Sequence, residues 1–180
     1  MRSRTRLRFP AILAATLGLY GLVWAADSKS PRGSKPAVPG TRVEALEWLD
    51  YGRALERAQK EDKHVLIDFY TNWCGWCKKM DRDTYGDSAV TSYLRDHFVL
   101  SKVNAESDKR FRVSGGTMSG IELARQFQVS SFPITWFLKP DGSKLDRVSG
   151  YVPADRFIYA LRFVHERRYE QSSKPQGRSQ

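Results

Sequence analysis

The pattern of apolar and polar residues predicts alternating strands and helices from about residue 44 onward. Four short apolar runs have the length and content of strands, at residues 64–70, 98–103, 134–138 and 143–149. The first run is apolar at almost every position, which is typical of a strand covered on both faces. Apolar residues at helical spacing occupy other segments, at residues 54–58, 74–83, 87–97, 119–127 and 154–164. This alternation predicts an α/β domain.

Several residues mark the ends of these predicted elements. Ser119 and Glu122 have the spacing of a capping box at the start of a helix. Asp141-Gly142 predicts the turn of a hairpin, and Pro153 suits the first turn of the last helix. We expect these residues to fix the boundaries of the second half of the domain.

Two segments are harder to assign from their pattern. Gly52 is expected to interrupt the helical stripe that precedes the first strand, with a short extended piece near Trp48. We interpret Trp48 and Tyr51 as packing residues rather than ligand-binding residues. Residues 105–116 are mostly polar and end in glycine, which predicts a long loop. Such a loop is either a surface feature or part of a partner-binding rim.

The N-terminus has the three parts of an export signal. Arginines at positions 2, 4, 6 and 8 precede an apolar segment at 9–24, which ends in Ala25 and Ala26. We predict a signal peptide over residues 1–26, cleaved after one of these alanines. The alternative is an uncleaved signal anchor, because the apolar segment approaches the length of a membrane span. Either reading places the domain outside the cytoplasm, in the periplasm.

Composition divides the rest of the chain into three parts. Residues 27–40 are rich in Pro, Gly and Ser and predict a flexible linker. We assign the folded domain to residues 41–170 and a disordered polar tail to 171–180. The net charge of +10 comes largely from the leader, linker and tail. The domain itself has a mixed surface, so we do not expect nucleic-acid binding.

The candidate chemistry lies in Cys74-Gly75-Trp76-Cys77, directly after the first strand. Two cysteines three positions apart at a helix N-terminus are close enough to form a disulfide, and the helix dipole favours the thiolate. Cys74 is expected to be the nucleophile, since it comes first and should be the more exposed. Cys77 stands where a resolving thiol is needed.

Two other interpretations of the cysteine pair fit the sequence less well. A zinc site usually takes four Cys or His ligands, and this chain has two cysteines with three histidines at unrelated spacing. A purely structural disulfide would close too short a loop to stabilise the fold appreciably. Reactivity explains the cysteines better than either a metal site or a staple.

The segment resembles the active site of the thioredoxin family. Asp68 lies six residues before Cys74, Trp73 directly precedes it, and Lys78 follows Cys77. The resemblance covers residues 44–168 and is greatest to the C-terminal periplasmic domain of DsbD-type reductases and related secreted proteins. It implies a thioredoxin fold, in which a central mixed sheet is flanked by helices and a cis-proline lies opposite the Cys-x-x-Cys turn.

The resemblance also implies roles for individual residues. Asp68 would relay the proton of the second cysteine, and Lys102 would approach that carboxylate; the alternatives are an Asp68 turned outward and a solvated Lys102. Pro133 would be the cis-proline and would present the backbone of Phe132 to a substrate, unless it is an ordinary trans proline. The proposed docking surface adds three residues around the cysteines: Trp73, Gly75 and Trp76.

The function implied is an exported thiol–disulfide oxidoreductase that acts on protein thiols and disulfides, more in the manner of a reductant. It would need neither an organic cofactor nor a metal, because the disulfide carries the electrons. A membrane redox partner would recharge it, and we expect a monomer, attached to the membrane if the leader is retained. The alternatives are a disulfide-donating oxidase and a non-catalytic binding or chaperone module.

Overall fold

A computed structural model describes residues 45–172. The predicted signal peptide (1–26), the linker (27–40), the first residues of the predicted domain (41–44) and the end of the predicted tail (173–180) lie outside the described residues. Within residues 45–172, no helix has both the length and the apolar content to cross a membrane.

A five-stranded mixed sheet forms the centre of the fold, in the order β1-β3-β2-β6-β7. Its strands are β1 (Trp48–Leu49), β2 (His64–Tyr70), β3 (Phe98–Asn104), β6 (Ile134–Leu138) and β7 (Lys144–Ser149). β1 and β2 both pair parallel to β3, whereas β6 pairs antiparallel to β2 and to β7. This confirms the expected mixed sheet with β2 at its centre.

Six helices accompany the sheet in residues 45–172: α1 (Tyr51–Glu61), α2 (Gly75–Asp83), α3 (Ser88–His97), α4 (Gly120–Gln126), α5 (Ala154–His165) and α6 (Tyr169–Ser172). The starts of α3 and α4 carry side-chain caps, and the one at α4 is the predicted capping box. The Asp87 carboxylate accepts from two backbone amides at the start of α3, and Ser119 and Glu122 form a capping box on α4.

The side chains of β2 alternate between two hydrophobic clusters, one on each face of the sheet. Val65, Ile67 and Phe69 pack with α1 and α4, whereas Leu66 packs with residues of α2, α3 and α5. Because successive strand residues point to opposite faces, Asp68 lies on the same face as Leu66. That is the face on which Met80 of α2 packs.

The structure corrects the prediction of a loop over residues 105–116. This segment contains β4 (Arg110–Val113), which forms an antiparallel hairpin with β5 (Gly116–Ser119). Phe111 points inward from the hairpin and is buried in the cluster with α1 and α4. One inward aromatic residue between two arginines has the period of a half-buried strand, which the general polarity of the segment conceals.

Gly52 does not interrupt a helix, contrary to prediction. It lies in the first turn of α1, where a Cβ atom would stand 2.7 Å from both the Cβ and the carbonyl oxygen of Arg112. Glycine is therefore present to let α1 approach the β4–β5 hairpin closely. The expected extended piece near Trp48 is real and forms β1.

The domain also extends slightly beyond its predicted end. The tail from residue 171 onward is predicted to be disordered, yet α6 runs from Tyr169 to Ser172. The Tyr169 hydroxyl hydrogen-bonds Nε2 of His64 at 2.9 Å, and the two rings meet edge-on. This contact with the start of β2 holds a segment whose own sequence is too polar to predict order.

Candidate active site

The two cysteines form a disulfide at the N-terminus of α2. Cys74 is the N-cap residue and Cys77 lies in the first turn, with their Cα atoms 5.3 Å apart. The backbone N–H of Cys77 donates to Sγ of Cys74 at 3.0 Å. A sulfur in this position faces the positive end of the helix dipole, which favours a thiolate there when the bond is reduced.

Cys74 is not more exposed than Cys77, contrary to prediction. Both are 3% exposed in the disulfide form. The helix cap distinguishes them. Within residues 45–172, the Cys74 sulfur accepts a hydrogen bond from the backbone N–H of Cys77 at the helix N-terminus, whereas the Cys77 sulfur accepts none. The nucleophilic character expected of Cys74 therefore rests on electrostatics rather than on solvent access.

Asp68 is buried beneath the sheet surface instead of turning outward. It is 1% exposed and lies opposite Lys102 of β3 and Thr135 of β6 in the sheet. Its Oδ1 atom has no hydrogen-bond partner among residues 45–172. Burial raises the pKa of Asp68 to about 6, although Lys102 acts in the opposite direction.

Lys102 approaches Asp68, as the resemblance implied, but it also has a second acidic partner. Its Nζ atom lies 3.4 Å from Oδ2 of Asp68 and forms an ion pair with Asp81 of α2. The Lys102 side chain is 20% exposed, so it is not a freely solvated residue. Asp81 was missed by sequence reasoning, although its position four residues after Cys77 places it on the same helix face.

Exposed aromatic side chains surround the disulfide. Trp73 is 68% exposed, and Trp76 is also largely exposed. The Trp73 indole N–H donates to both carboxylate oxygens of Glu106 at 3.0 Å, and its ring meets Phe132 edge-on at 6.0 Å. Glu106 was not anticipated, because it lies 33 residues away in the chain.

A small cleft borders two of these aromatic residues, Trp76 and Phe132. It has a volume of about 300 Å³ and is lined by Trp76, Phe132, Gly150 and Tyr151. The rings of Trp76 and Tyr151 lie 5.7 Å apart. Tyr151 was also missed, since nothing in its local sequence relates it to the cysteines.

Two backbone positions complete the surface. The peptide bond between Phe132 and Pro133 is cis, and the Pro133 carbonyl accepts from the N–H of Gly150 at 2.8 Å. Gly75 is exposed, and a Cβ atom there would meet no atom within 4 Å. No neighbouring side chain therefore covers the backbone at Gly75 within residues 45–172.

Within residues 45–172, no group of three or more His, Cys, Asp or Glu side chains is arranged to hold a metal ion.

Solved structures with the same fold include a thioredoxin from Thermus thermophilus. It is 28% identical, covers 67% of this chain and 87% of its own, and superposes with a TM-score of 0.56. A putative disulphide-isomerase from Bacteroides thetaiotaomicron is 29% identical, covers 66% of this chain and 90% of its own, and has a TM-score of 0.54. Both are similar to this chain over most of their own length.

Curated relatives carry names from disulfide chemistry. The thiol:disulfide interchange protein DsbD of Pseudomonas fluorescens is 31% identical over 58% of this chain, but the match covers 17% of that relative. The disulfide bond reductase DsbH of Chlamydia pneumoniae is 27% identical over 63% of this chain and 68% of its own length. The chain thus spans less than a quarter of the DsbD relatives, up to 24% for that of Vibrio vulnificus.

The family of thioredoxin-like domains matches residues 51–165, from the first residue of α1 to the last of α5. The matched region contains the disulfide, the buried Asp68 with Lys102, and the bond before Pro133. Since the match covers more than half of the sequence, this chain belongs to the family of thioredoxin-like domains.

Proposed function

We propose that the chain is an exported protein-disulfide oxidoreductase that reduces client disulfides in the periplasm. The observation that carries the proposal is a Cys74–Cys77 disulfide at a helix N-terminus, flanked by exposed tryptophans. The names of the DsbD and DsbH relatives support the same chemistry. Export is supported by the leader sequence at residues 1–26.

The reaction consists of two thiol–disulfide exchanges. The Cys74 thiolate attacks a client disulfide, which forms a mixed disulfide and releases one client sulfur as a thiolate that takes up a proton. The Cys77 thiolate then attacks the Cys74 sulfur, closes the Cys74–Cys77 bond and releases the second client thiol. The client gains two electrons and two protons, and the protein becomes oxidised.

Asp68 and Lys102 would manage the proton of Cys77. When the protein is re-reduced, Cys77 is the leaving sulfur and needs a proton. A protonated Asp68 is a suitable donor, because its pKa of about 6 lies far above that of an exposed carboxyl. Lys102 would keep this pKa from rising further by favouring the carboxylate.

This role predicts a specific pH dependence for reduction of the protein by dithiothreitol. The rate, divided by the concentration of dithiothreitol thiolate, should fall as the pH rises through about 6, because Asp68 loses its proton. Asp68→Asn should remove this transition and slow reduction below pH 6 by about a hundredfold. Stopped-flow tryptophan fluorescence would follow the reaction; an unchanged profile in the variant would exclude Asp68 as the donor.

The client would dock on the aromatic surface around the disulfide. Trp73, Trp76 and Phe132 offer apolar area, and the backbone beside Pro133 offers hydrogen-bonding groups to an extended client segment. The open space over Gly75 accommodates the client backbone. We propose that the protein acts as a monomer, since this surface must stay free for clients.

A reductant must be recharged, and we propose a membrane redox partner that supplies a dithiol. The reduction potential of the Cys74–Cys77 pair tests the direction of transfer. Equilibration of the protein with glutathione buffers should give a reduction potential of about −270 mV, as for thioredoxin. A value near about −120 mV would instead make the protein a disulfide donor and overturn the reductant assignment.

A further inference from the structure

Three aromatic rings surround the ammonium group of Lys102. Its Nζ atom lies 5.1 Å from the ring centre of Trp48, 5.3 Å from that of Tyr70 and 5.9 Å from that of Tyr85. We call these three residues the aromatic cage. The cage adds to the two carboxylates, Asp68 and Asp81, that already face the same ammonium group.

The rings of the cage attract the ammonium group. A cation within about 6 Å of an aromatic ring centre is drawn to the negative face of the ring, and the attraction grows when the group is partly desolvated. Lys102 has a flexible stem that would otherwise let its charge move away from Asp68 towards water. The cage therefore opposes the departure of Lys102 from Asp68.

Trp48 is the residue of the aromatic cage that lies outside residues 51–165, the region that matches the family. It belongs to the two-residue edge strand β1, which precedes residue 51, and pairs with Leu100 of β3. Its ring meets Tyr85 edge-on at 5.3 Å. A cleft of about 510 Å³ borders both Trp48 and Lys102, so space is available into which the ammonium group could move.

We propose that Trp48 is a positioning residue, which holds the Lys102 ammonium group against Asp68 and thereby sets the proton affinity of that carboxyl group. The effect of Trp48 on thiol–disulfide exchange rests on the proposed function, whereas the contacts among Trp48, Lys102 and Asp68 do not. Trp48 acts through Lys102 and does not itself contact the disulfide in the described contacts of residues 45–172.

The groups that face Asp68 come from β3, from α2 and the segment that follows it, and from β6. Lys102 of β3 is the cation, Asp81 of α2 is a second carboxylate, and the hydroxyls of Tyr85 and of Thr135 on β6 are neutral. Lys102 is thus the single positive group paired with Asp68 within residues 45–172. Loss of its close approach leaves burial and Asp81, both of which raise the pKa of Asp68.

The test compares Trp48→Leu with Trp48→Phe in the oxidised full chain. Carboxyl carbon NMR of protein labelled in its aspartates gives the pKa of Asp68, and Asp68→Asn identifies the resonance. In the oxidised form neither cysteine has a thiol that titrates. The NMR titration curve therefore reports on the Asp68 carboxyl group and the charges next to it. We expect Trp48→Leu to raise the pKa of Asp68 by about one unit, since an opposite charge at this distance shifts a carboxyl pKa by about one to three units.

Trp48→Phe keeps an aromatic face and should restore a pKa close to that of the unmodified chain. The opposite outcome is distinguishable: if Trp48 only excludes water, Trp48→Leu hydrates Asp68 and lowers its pKa. A lowered or unchanged pKa therefore overturns the proposal. If Trp48→Leu does not fold, Trp48→Met, which also lacks a ring, takes its place with the same expected rise.

Trp136→Leu is the matched control. Trp136 is a half-buried tryptophan on β6 whose ring faces Lys144 and Arg147 instead of Lys102. This change should leave the pKa of Asp68 unaltered. A rise as large as that in Trp48→Leu would show a general loss of packing. Reduction by dithiothreitol separates the two claims: if the unmodified chain does not exchange, the proposed function fails, whereas the NMR titration still decides the role of Trp48.

Discussion

Replacing Cys77 with serine is expected to leave the protein covalently joined to its clients through Cys74. The first exchange needs Cys74 alone, whereas release needs a second thiol, and Cys77 is held within disulfide distance of Cys74. A serine hydroxyl does not replace that thiolate near neutral pH. Turnover should fall to the rate of the uncatalysed exchange, and adducts that dithiothreitol cleaves should accumulate on non-reducing gels.

Cys74→Ser is the matched control, because it makes the same one-atom change at the other cysteine. It should abolish turnover without accumulating adducts. Since both cysteines are equally buried in the disulfide form, this pair of variants decides whether the N-cap position selects the nucleophile. Full activity of Cys74→Ser, or adducts formed mainly by that variant, would contradict the assignment.

A second large effect is expected in acid, where His64 destabilises the folded state. His64 is 2% exposed, and burial, followed by the charge of Arg167, lowers its pKa to about 4. An unfolded histidine titrates near about 6.5, so the unfolded state binds the proton first. The contribution of neutral His64 to the free energy of unfolding is fully present above pH 6.5 and is lost as the pH falls towards 4. The loss is about 3 kcal/mol.

Asp68 acts in the opposite direction over nearly the same range. Its pKa is raised from 3.8 to about 6, so the folded state binds the proton first. This contribution is fully present below pH 3.8, is lost as the pH rises through 6, and amounts to about 3 kcal/mol. In the unmodified protein the effects of His64 and Asp68 therefore largely cancel between pH 6.5 and 4.

Asp68→Asn should expose the loss that His64 causes. We expect this variant to lose about 3 kcal/mol more stability than the unmodified protein between pH 6.5 and 4, as measured by urea unfolding of the oxidised forms. Carboxylates elsewhere contribute equally to both proteins and cancel in the comparison. In the double variant with His64→Gln the extra loss should disappear. Equal pH dependence in all three proteins would show that these two groups do not titrate as the structure implies.

Much of the fold could be predicted because its elements carry local patterns. β2 has the predicted bounds, since a buried central strand is apolar throughout. The starts of α3 and α4 follow from side-chain caps, which act within three residues. The β4–β5 hairpin was missed because its one buried apolar side chain, Phe111, packs against distant elements, with Val113 and Met118 partly buried beside it.

The candidate site could likewise be predicted only where its residues form a local motif or match the family resemblance. The cysteine pair is a local motif, and the resemblance implied the proximity of Asp68 and Lys102. The other members of the site come from distant positions in the sequence. Glu106 binds Trp73 and Trp48 faces Lys102, yet neither contact has a sequence spacing that reveals it. Trp48 was interpreted as a packing residue, and its position beside a cation required three-dimensional structure to recognise.

The arrangement of β2 between β3 and β6 also has a consequence for how the chain acquires its reactivity. The cysteines are three residues apart, but the strands that enclose Asp68 pair residue 68 with residues 102 and 135. Contacts between residues so distant in sequence form late, because long loops must close first. Until these strands pair, Asp68 lacks the burial that raises its pKa. The proton donor proposed for Cys77 therefore depends on the completed sheet, whereas the helix N-terminus that favours the Cys74 thiolate is a local feature of α2.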